Sequence, residues 1–371
     1  MERIPGTAAV ICEFNPFHYG HMRVLAEAKR RAGFVCGIMS GSLVQRGYPA
    51  CADRYLRAAA AAECGYDAVF SLPFPYSCLS ARDFASAGVK IARSIGMSVI
   101  VCGAEDPGSV RAAASILCDT GFAGRADELI RAEKRLSYPK AVARIIADAA
   151  GDKIAADMAK PNNILAAEYI RASAAVSGPP VEVVQRGAGE ESAGSLRSRG
   201  AGMTEGIPEP ARRFFLDPVP DSALDAYLFS ALKTFSGDMT SLYGIDRTLA
   251  GRLARAATAA EKPEDMVPLC RSAAFTDARV RRALISLLFG ITREQAAADP
   301  EYTLLLSARA ASTPVIRNIS GRSEIPVITR PSDAAGFPGF IREAKAESLL
   351  RTLYGSPDAR SRTPYIQGAD E

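Results

Sequence analysis

The chain has two histidines, and both stand in the stretch Ile11-Cys12-Glu13-Phe14-Asn15-Pro16-Phe17-His18-Tyr19-Gly20-His21. His18 and His21 are three residues apart, so on a helix both imidazoles face the same way. Gly20 between them has no side chain and lets a ligand approach the backbone. Two imidazoles beside a polyphosphate can donate hydrogen bonds to oxygens that gain charge as phosphorus is attacked. A helix start adds unpaired N–H groups and the positive end of the helix dipole, and both favour a phosphate. The stretch therefore points to displacement at a nucleotide phosphorus; the competing reading is a helix that happens to carry two surface histidines.

The elements that must position these residues follow from their flanks. Ala8 to Ile11 is an apolar run that reads as a buried strand, and Asn15-Pro16 breaks it. His18 to about Arg31 has a helical pattern, with Met22, Leu25 and Ala26 on one face. Phe34 to Met39 reads as a second strand, followed by the polar loop Ser40 to Pro49. Next come a helix over about Asp53 to Cys64, a strand over Asp67 to Leu72, a helix over Phe84 to Ile95 and a short strand over Ser98 to Cys102. Strands spaced by helices of this length imply a Rossmann-like α/β fold with a parallel sheet and right-handed crossovers. Ligands on such sheets sit at the carboxyl ends of the strands. Those ends carry the histidine stretch, Ser40-Gly41 and Gly103-Ala104-Glu105, three loops on one edge.

Residues 108–176 read as mostly helical, and Lys160-Pro161-Asn162-Asn163 opens the last helix with amides suited to a base or ribose. Pro179 to Val184 reads as a fifth strand, leading to Arg186, a Gly-rich loop and Ser192-Ala193-Gly194-Ser195-Leu196-Arg197. Ser192, Ser195 and Arg197 form a second phosphate-binding pattern through hydroxyls, N–H groups and a guanidinium. Simple capping of a helix by Ser192 is the competing reading. Gly200 to Pro210 is expected to divide the chain into a Rossmann-like nucleotide-binding domain over 1–200 and a mostly helical domain over 207–371. In the second, strands are expected only over Thr313 to Ile319 and Ile325 to Arg330, and the tail from Gly355 is polar and expected to be poorly ordered. Arg271, Phe275, Arg279 and Arg282 offer a phosphate-facing stripe with an aromatic one turn away, a candidate RNA contact. A solvated arginine-rich face is its alternative.

Composition bounds these readings. The 371 residues suffice for two domains, and 48% apolar with 23% charged residues is ordinary for a globular chain. A formal net charge of +4 permits a nucleic-acid partner without demanding one. The eight cysteines form no Cys-x-x-Cys pair, so no zinc-type cluster and no resident metal are expected. The start lacks a secretory apolar core and no apolar run approaches membrane-spanning length, so a cytoplasmic chain with reduced thiols and no membrane partner is expected.

Asn15-Pro16-Phe17-His18-Tyr19-Gly20-His21 resembles the His-x-Gly-His signature of the nucleotidyltransferase superfamily. With Met39-Ser40-Gly41-Ser42-Leu43-Val44-Gln45-Arg46-Gly47-Tyr48-Pro49-Ala50 and Lys160-Pro161-Asn162-Asn163-Ile164-Leu165, the chain resembles the tRNA(Met) cytidine acetate ligases through most of residues 7–330. The resemblance implies ATP binding by residues Ile11 to His21, with Gly103, Asn162 or Asn163, and Arg186 lining the nucleotide. It implies catalysis by His18 and His21, Mg²⁺ on the phosphates, acetate activated as acetyl-adenylate, and elongator tRNA(Met) acetylated at N4 of its wobble cytidine. Three departures from the family pattern stand out. Gly187-Ala188-Gly189-Glu190-Glu191 replaces a Tyr-His-Asp element, Gly194 replaces a hydroxyl residue, and Ala104 replaces a serine. Two alternatives stay open: an adenylyltransferase acting on a small metabolite, and an RNA-binding protein with a decayed nucleotide site.

Overall fold

The computed structural model describes residues 2–133, 136, 138–187, 191–356 and 362–368. Its frame is a sheet in the order β5-β4-β1-β2-β3-β6-β7, with β8 also paired to β6. The strands are β1 (Thr7–Cys12), β2 (Phe34–Ser40), β3 (Ala68–Leu72), β4 (Val99–Ala104), β5 (Val181–Gln185), β6 (Thr303–Arg309), β7 (Val327–Ile328) and β8 (Tyr365–Gln367). The first five are parallel, and β6 joins β3 antiparallel. The order of those five reverses between β1 and β4, so a crevice opens beyond their carboxyl ends, where ligands sit in open α/β sheets.

β1 and β2 are buried along their whole length, the pattern of central strands covered on both faces. Their side chains alternate between two cores. Ala9, Ile11, Cys36 and Ile38 enter one, while Ala8, Val10, Cys12, Val35 and Met39 enter the other. The second core is closed by α1 (Tyr19–Lys29) and α2 (Arg54–Glu63), the first by α3 (Ala81–Ser94). Asp53 caps α2 by accepting from Tyr55 N–H at 2.8 Å, and Ser80 caps α3.

Between β4 and β5 run α4 (Pro107–Leu117), α5 (Phe122–Ala132), α6 (Tyr138–Ala150), α7 (Asp152–Asp157) and α8 (Pro161–Ala175), as the helical reading of this segment requires. A short α9 (Ala193–Arg197) follows β5, and residues 200–214 form 3-10 turns. Then come α10 (Asp225–Thr234), α11 (Arg247–Ala259), α12 (Met266–Cys270), α13 (Asp277–Phe289) and α14 (Arg293–Ala297). After β6 lie α15 (Thr313–Arg322) and, after β7, α16 (Pro338–Tyr354).

The structure corrects the sequence reading in the last seventy residues. β6 lies where no strand is expected, because an apolar run buried on both faces has no two-residue period to reveal it. Thr313 to Ile319 is helix, not strand: Pro314 opens it, and Ile316 and Ile319, three apart, face the core. The tail also contributes β8, which pairs Ser307–Arg309 with Tyr365–Gln367. The sheet thus draws strands from both sides of the expected 200/207 boundary. Residues 188–190 of the Gly-rich loop, and 357–361 and 369–371 of the tail, lie outside the described residues. No helix among the described residues is long and apolar enough to cross a membrane.

Candidate active site

The histidine stretch leaves the end of β1 and turns into α1. Phe14 takes φ +46, a left-handed conformation that is sparse for a bulky residue. This folds its ring back against Phe17, 5.0 Å away, and edge-on to His21, also 5.0 Å away. The side chains of Ile11, Cys12, Phe14 and Phe17 are buried in the cores that flank the sheet. Asn15 is buried too, its Oδ1 accepting from Cys51 N–H at 2.7 Å.

The imidazoles cap the helix that carries them. His18 Nδ1 accepts from Gly20 N–H at 3.0 Å, and His21 Nδ1 accepts from His18 N–H at 3.1 Å. His21 N–H bonds the carbonyl of His18 at 2.9 Å. The expected open N–H groups at this helix start are therefore largely satisfied within the chain. In exchange, a neutral ring whose Nδ1 is an acceptor carries its proton on Nε2, so both rings are set as Nε2–H donors. The ring centroids stand 4.0 Å apart. Burial, followed by the neighbouring His18 and Arg186, holds the His21 pKa well below the usual imidazole value. His21 is a neutral donor at physiological pH.

Gly103, in β4, lies against Arg186, the residue after β5, whose charge acts on His21. A Cβ on Gly103 would stand 3.3 Å from Arg186 Cγ and 3.2 Å from Val24 Cγ2, so a side chain there would fill the cradle. Arg186 N–H donates to Ala104 O at 2.8 Å, which ties it to the end of β4. The two asparagines serve this edge from behind. Asn163, fully buried, accepts from Glu105 N–H at 2.8 Å and Asp106 N–H at 3.2 Å and donates to Asp157 O at 2.9 Å. Asn162 donates to Glu105 Oε1 at 2.5 Å.

Ser192, Ser195 and Arg197 are engaged differently from the phosphate pattern. Ser192 Oγ caps α9 by accepting from Ser195 N–H at 3.1 Å, and Ser195 donates to Glu191 Oε1 at 2.9 Å. Arg197 donates to Asn15 O at 2.7 Å and to Asp221 Oδ1 at 3.0 Å, bracing the turn before His18. The expected RNA stripe divides as well. Arg271 pairs with Asp277, and Arg279 donates to Asp246 Oδ2 at 2.7 Å with its guanidinium 4.7 Å over the buried Phe275 ring. Both guanidiniums keep solvent exposure, and surface pairs of this kind contribute at most about 1 kcal/mol, so a phosphate can displace the carboxylates. Arg282 instead turns into the loop after β2 and donates to Gln45 O at 3.2 Å.

Sequence reasoning missed Arg57. Fully buried on α2, it donates to the carbonyls of Glu13, Ser40, Gly41 and Ala52, binding the ends of β1 and β2 into one rim. One arginine in an alanine-rich helix gives no local sign of this role. Seven of the eight cysteines are buried and all are free, and among the described residues no group of three His, Cys, Asp or Glu could hold a metal. Burial pushes the Cys51 and Cys102 thiols up to about 12. Only Cys118 is exposed, so a thiol reagent at neutral pH is expected to label it within minutes and the other seven only after unfolding; peptide mass mapping checks this.

A family model described as HIGH Nucleotidyl Transferase matches residues 6–199 and 207–361. That match, the sheet order and the paired imidazoles at the end of β1 define the class. A tRNA(Met) cytidine acetate ligase of Syntrophotalea carbinolica is 30% identical over 358 residues, covering 87% of this chain and 84% of the relative. Another, of Streptococcus equi subsp. zooepidemicus, is 30% identical over 292 residues, covering 75% and 78%. The chain belongs to the tRNA(Met) cytidine acetate ligase family. Its fold matches a crystal structure of Thermotoga maritima TmcAL bound with alpha-thio ATP, with a TM-score of 0.86 and 21% identity, over 99% of this chain and 100% of that one.

Proposed function

We propose that this chain uses ATP to activate acetate as acetyl-adenylate and then acetylates N4 of the wobble cytidine of elongator tRNA(Met). The observation that carries the reading is the pair of Nε2–H donors at the topological switch point, backed by Arg186. An acetate oxygen attacks the α-phosphorus, the Pα–O–Pβ bond breaks, and pyrophosphate leaves with its electron pair. His18 and His21 donate to the oxygens that gain charge in that step, and Arg186 adds positive charge beside them. The cytidine amine then attacks the acetyl carbonyl, AMP leaves, and the amine loses a proton to water. No residue forms a covalent intermediate, so the chain contributes positioning and electrostatics.

ATP lies over the β1/β4 crevice in this reading, with Gly103 giving its backbone room. Glu105, held by Asn162 and Asn163, frames the nucleoside side. Mg²⁺ is bound elsewhere in biology largely through substrate phosphates. With no cage of ligating side chains among the described residues, any Mg²⁺ enters with the triphosphate, and no step is assigned to it. In this reading Arg271 and Arg279, both partly exposed, meet tRNA phosphates, and a tRNA acceptor puts the reaction in the cytoplasm.

The experiment is incubation with ATP, Mg²⁺ and labelled acetate, with and without bulk tRNA, followed by digestion to nucleosides. Label in N4-acetylcytidine is the expected result. Pyrophosphate without labelled tRNA would move the acceptor to a small metabolite. Bound tRNA with neither product would mark a decayed nucleotide site.

A further inference from the structure

Gln45 is held from both sides. Its N–H donates to Glu13 Oε1 at 2.7 Å, its carbonyl accepts from Arg282 Nη1 at 3.2 Å, and its side-chain amide donates to Leu79 O at 3.2 Å. The residues after it lie directly on α13. Gly47 has φ +79, and a Cβ there would stand 2.9 Å from the Cβ of Arg281, closer than real side chains come. Arg281 stacks 4.2 Å over the Tyr48 ring while pairing with Asp225 at 2.8 and 3.0 Å. On the other side, Glu13 is the residue before Phe14, whose left-handed turn sets its ring against His21. A continuous line of contacts therefore runs from α13 through the backbone of one residue, Gln45, to the catalytic imidazole.

We propose that Arg282 is a positioning residue for the nucleotide step, fixing Glu13 and the turn before His18 through the two peptide groups that flank the Gln45 Cα, rather than an RNA contact. This rests on the reading that the imidazoles act on ATP. Arg282 Nη1 donates to the Gln45 carbonyl, and without it the loop after β2 loses that tie to α13. The Gln45 N–H that holds Glu13 belongs to the same residue and moves with it. Displacement of reacting groups by about 1 Å typically costs on the order of 10² in rate. Arg282 also explains why the helical segment must dock on the loop at Gly47: a glycine is needed where α13 and the loop touch.

The test uses the full chain in ATP–pyrophosphate exchange with acetate and no RNA. Arg282→Met keeps the apolar stem and removes the donors. Its exchange kcat is expected to fall about tenfold or more, with the KM for ATP within about threefold of wild type. Arg282→Lys restores a donor and is expected to recover most of the loss, while Gly47→Ala lifts the loop from α13 and reproduces it. Hydrogen exchange gives a readout independent of catalysis: the amides of Gln45 and of His18 to His21 exchange at least about tenfold faster in Arg282→Met and slow again in Arg282→Lys. Unchanged amides there overturn the proposal even if the wild-type chain shows no exchange of pyrophosphate, a result that would instead sink the activation reading. Wild-type exchange in Arg282→Met, with acetyl transfer to tRNA lost, would return Arg282 to the RNA surface. Equal early melting of the Met and Lys variants, with no recovery by Lys, would reduce it to a structural role.

Discussion

His21→Ala is expected to slow ATP-dependent pyrophosphate release by about 10² to 10³. Two functions leave with the ring. The Nε2–H donor is lost at the oxygens that gain charge, and the Nδ1 acceptor is lost from the N–H of His18, so the first turn of α1 loses one half of its reciprocal cap. The cap alone is worth about 1 kcal/mol of stability, too little to account for the rate. Single-turnover measurement at saturating ATP separates the two, since a frayed helix raises KM whereas a missing donor lowers kcat. A rate within tenfold of wild type would remove His21 from the mechanism.

The same ring predicts a pH signature. Burial first, then His18 and Arg186, hold its folded pKa well below the value of about 6.5 that an unfolded imidazole shows. As pH falls through that value the unfolded chain takes up a proton that the folded chain refuses, so stability declines until His21 itself titrates. Above it the contribution is constant. Denaturant titrations at stepped pH are expected to show this slope in wild type and a reduced slope in His21→Ala. Initial rates are expected to show no inflection near 6.5 from His21, because the ring is already in its donor form there.

How much of this was legible in the sequence depended on how local the cause was. The first five strands, their helices and the histidine pair could be read because strand–turn–helix units declare themselves within about thirty residues. The helix start at Pro161 and the cap at Asp53 are likewise local. β6 could not be read, since its apolar run has no period and its partner β3 lies more than two hundred residues earlier. The serines of α9 show the converse limit. Their spacing suits both a phosphate and a cap, and the hydrogen bond from Ser195 N–H to Ser192 shows the cap formed. Arg282 reads in sequence as part of a candidate RNA-contacting stripe, and its bond to the loop after β2 is visible only in the folded chain. Arg57 carried no signal at all, because four carbonyl partners from three separate segments are visible only once the rim is assembled.

The same kind of long-range contact sets the second large effect, at Glu343. Arg54 on α2 and Glu343 on α16 form an ion pair in which both side chains are about 1–2% exposed, and Glu347 stands 3.8 Å from the same guanidinium. Burial works against the Arg54 charge, but Glu347 and Glu343 more than offset it and hold its pKa well above the ordinary value. Tyr302 donates to Glu343, and Ser42, in the loop after β2, donates to Glu347 Oε2 at 2.7 Å. The C-terminal helix is thus pinned both to α2 and to the rim of the site. Glu343→Ala leaves a buried cation short of its partner and a tyrosine hydroxyl without its acceptor, and is expected to cost about 3–5 kcal/mol in denaturant unfolding. Replacing all three charged groups, Arg54→Met with Glu343→Leu and Glu347→Gln, leaves no buried charge unpaired and is expected to cost less than Glu343→Ala, because the desolvation penalty goes with the charges. Unfolding followed at several denaturant concentrations distinguishes the cases. A loss under about 1 kcal/mol in Glu343→Ala would mean that water or Glu347 takes over the charge, since a solvated pair is worth no more than that. Because α2 also carries Arg57, the single variant is expected to loosen the carbonyl rim before the chain unfolds, so its pyrophosphate release should fail at lower denaturant than its helix content.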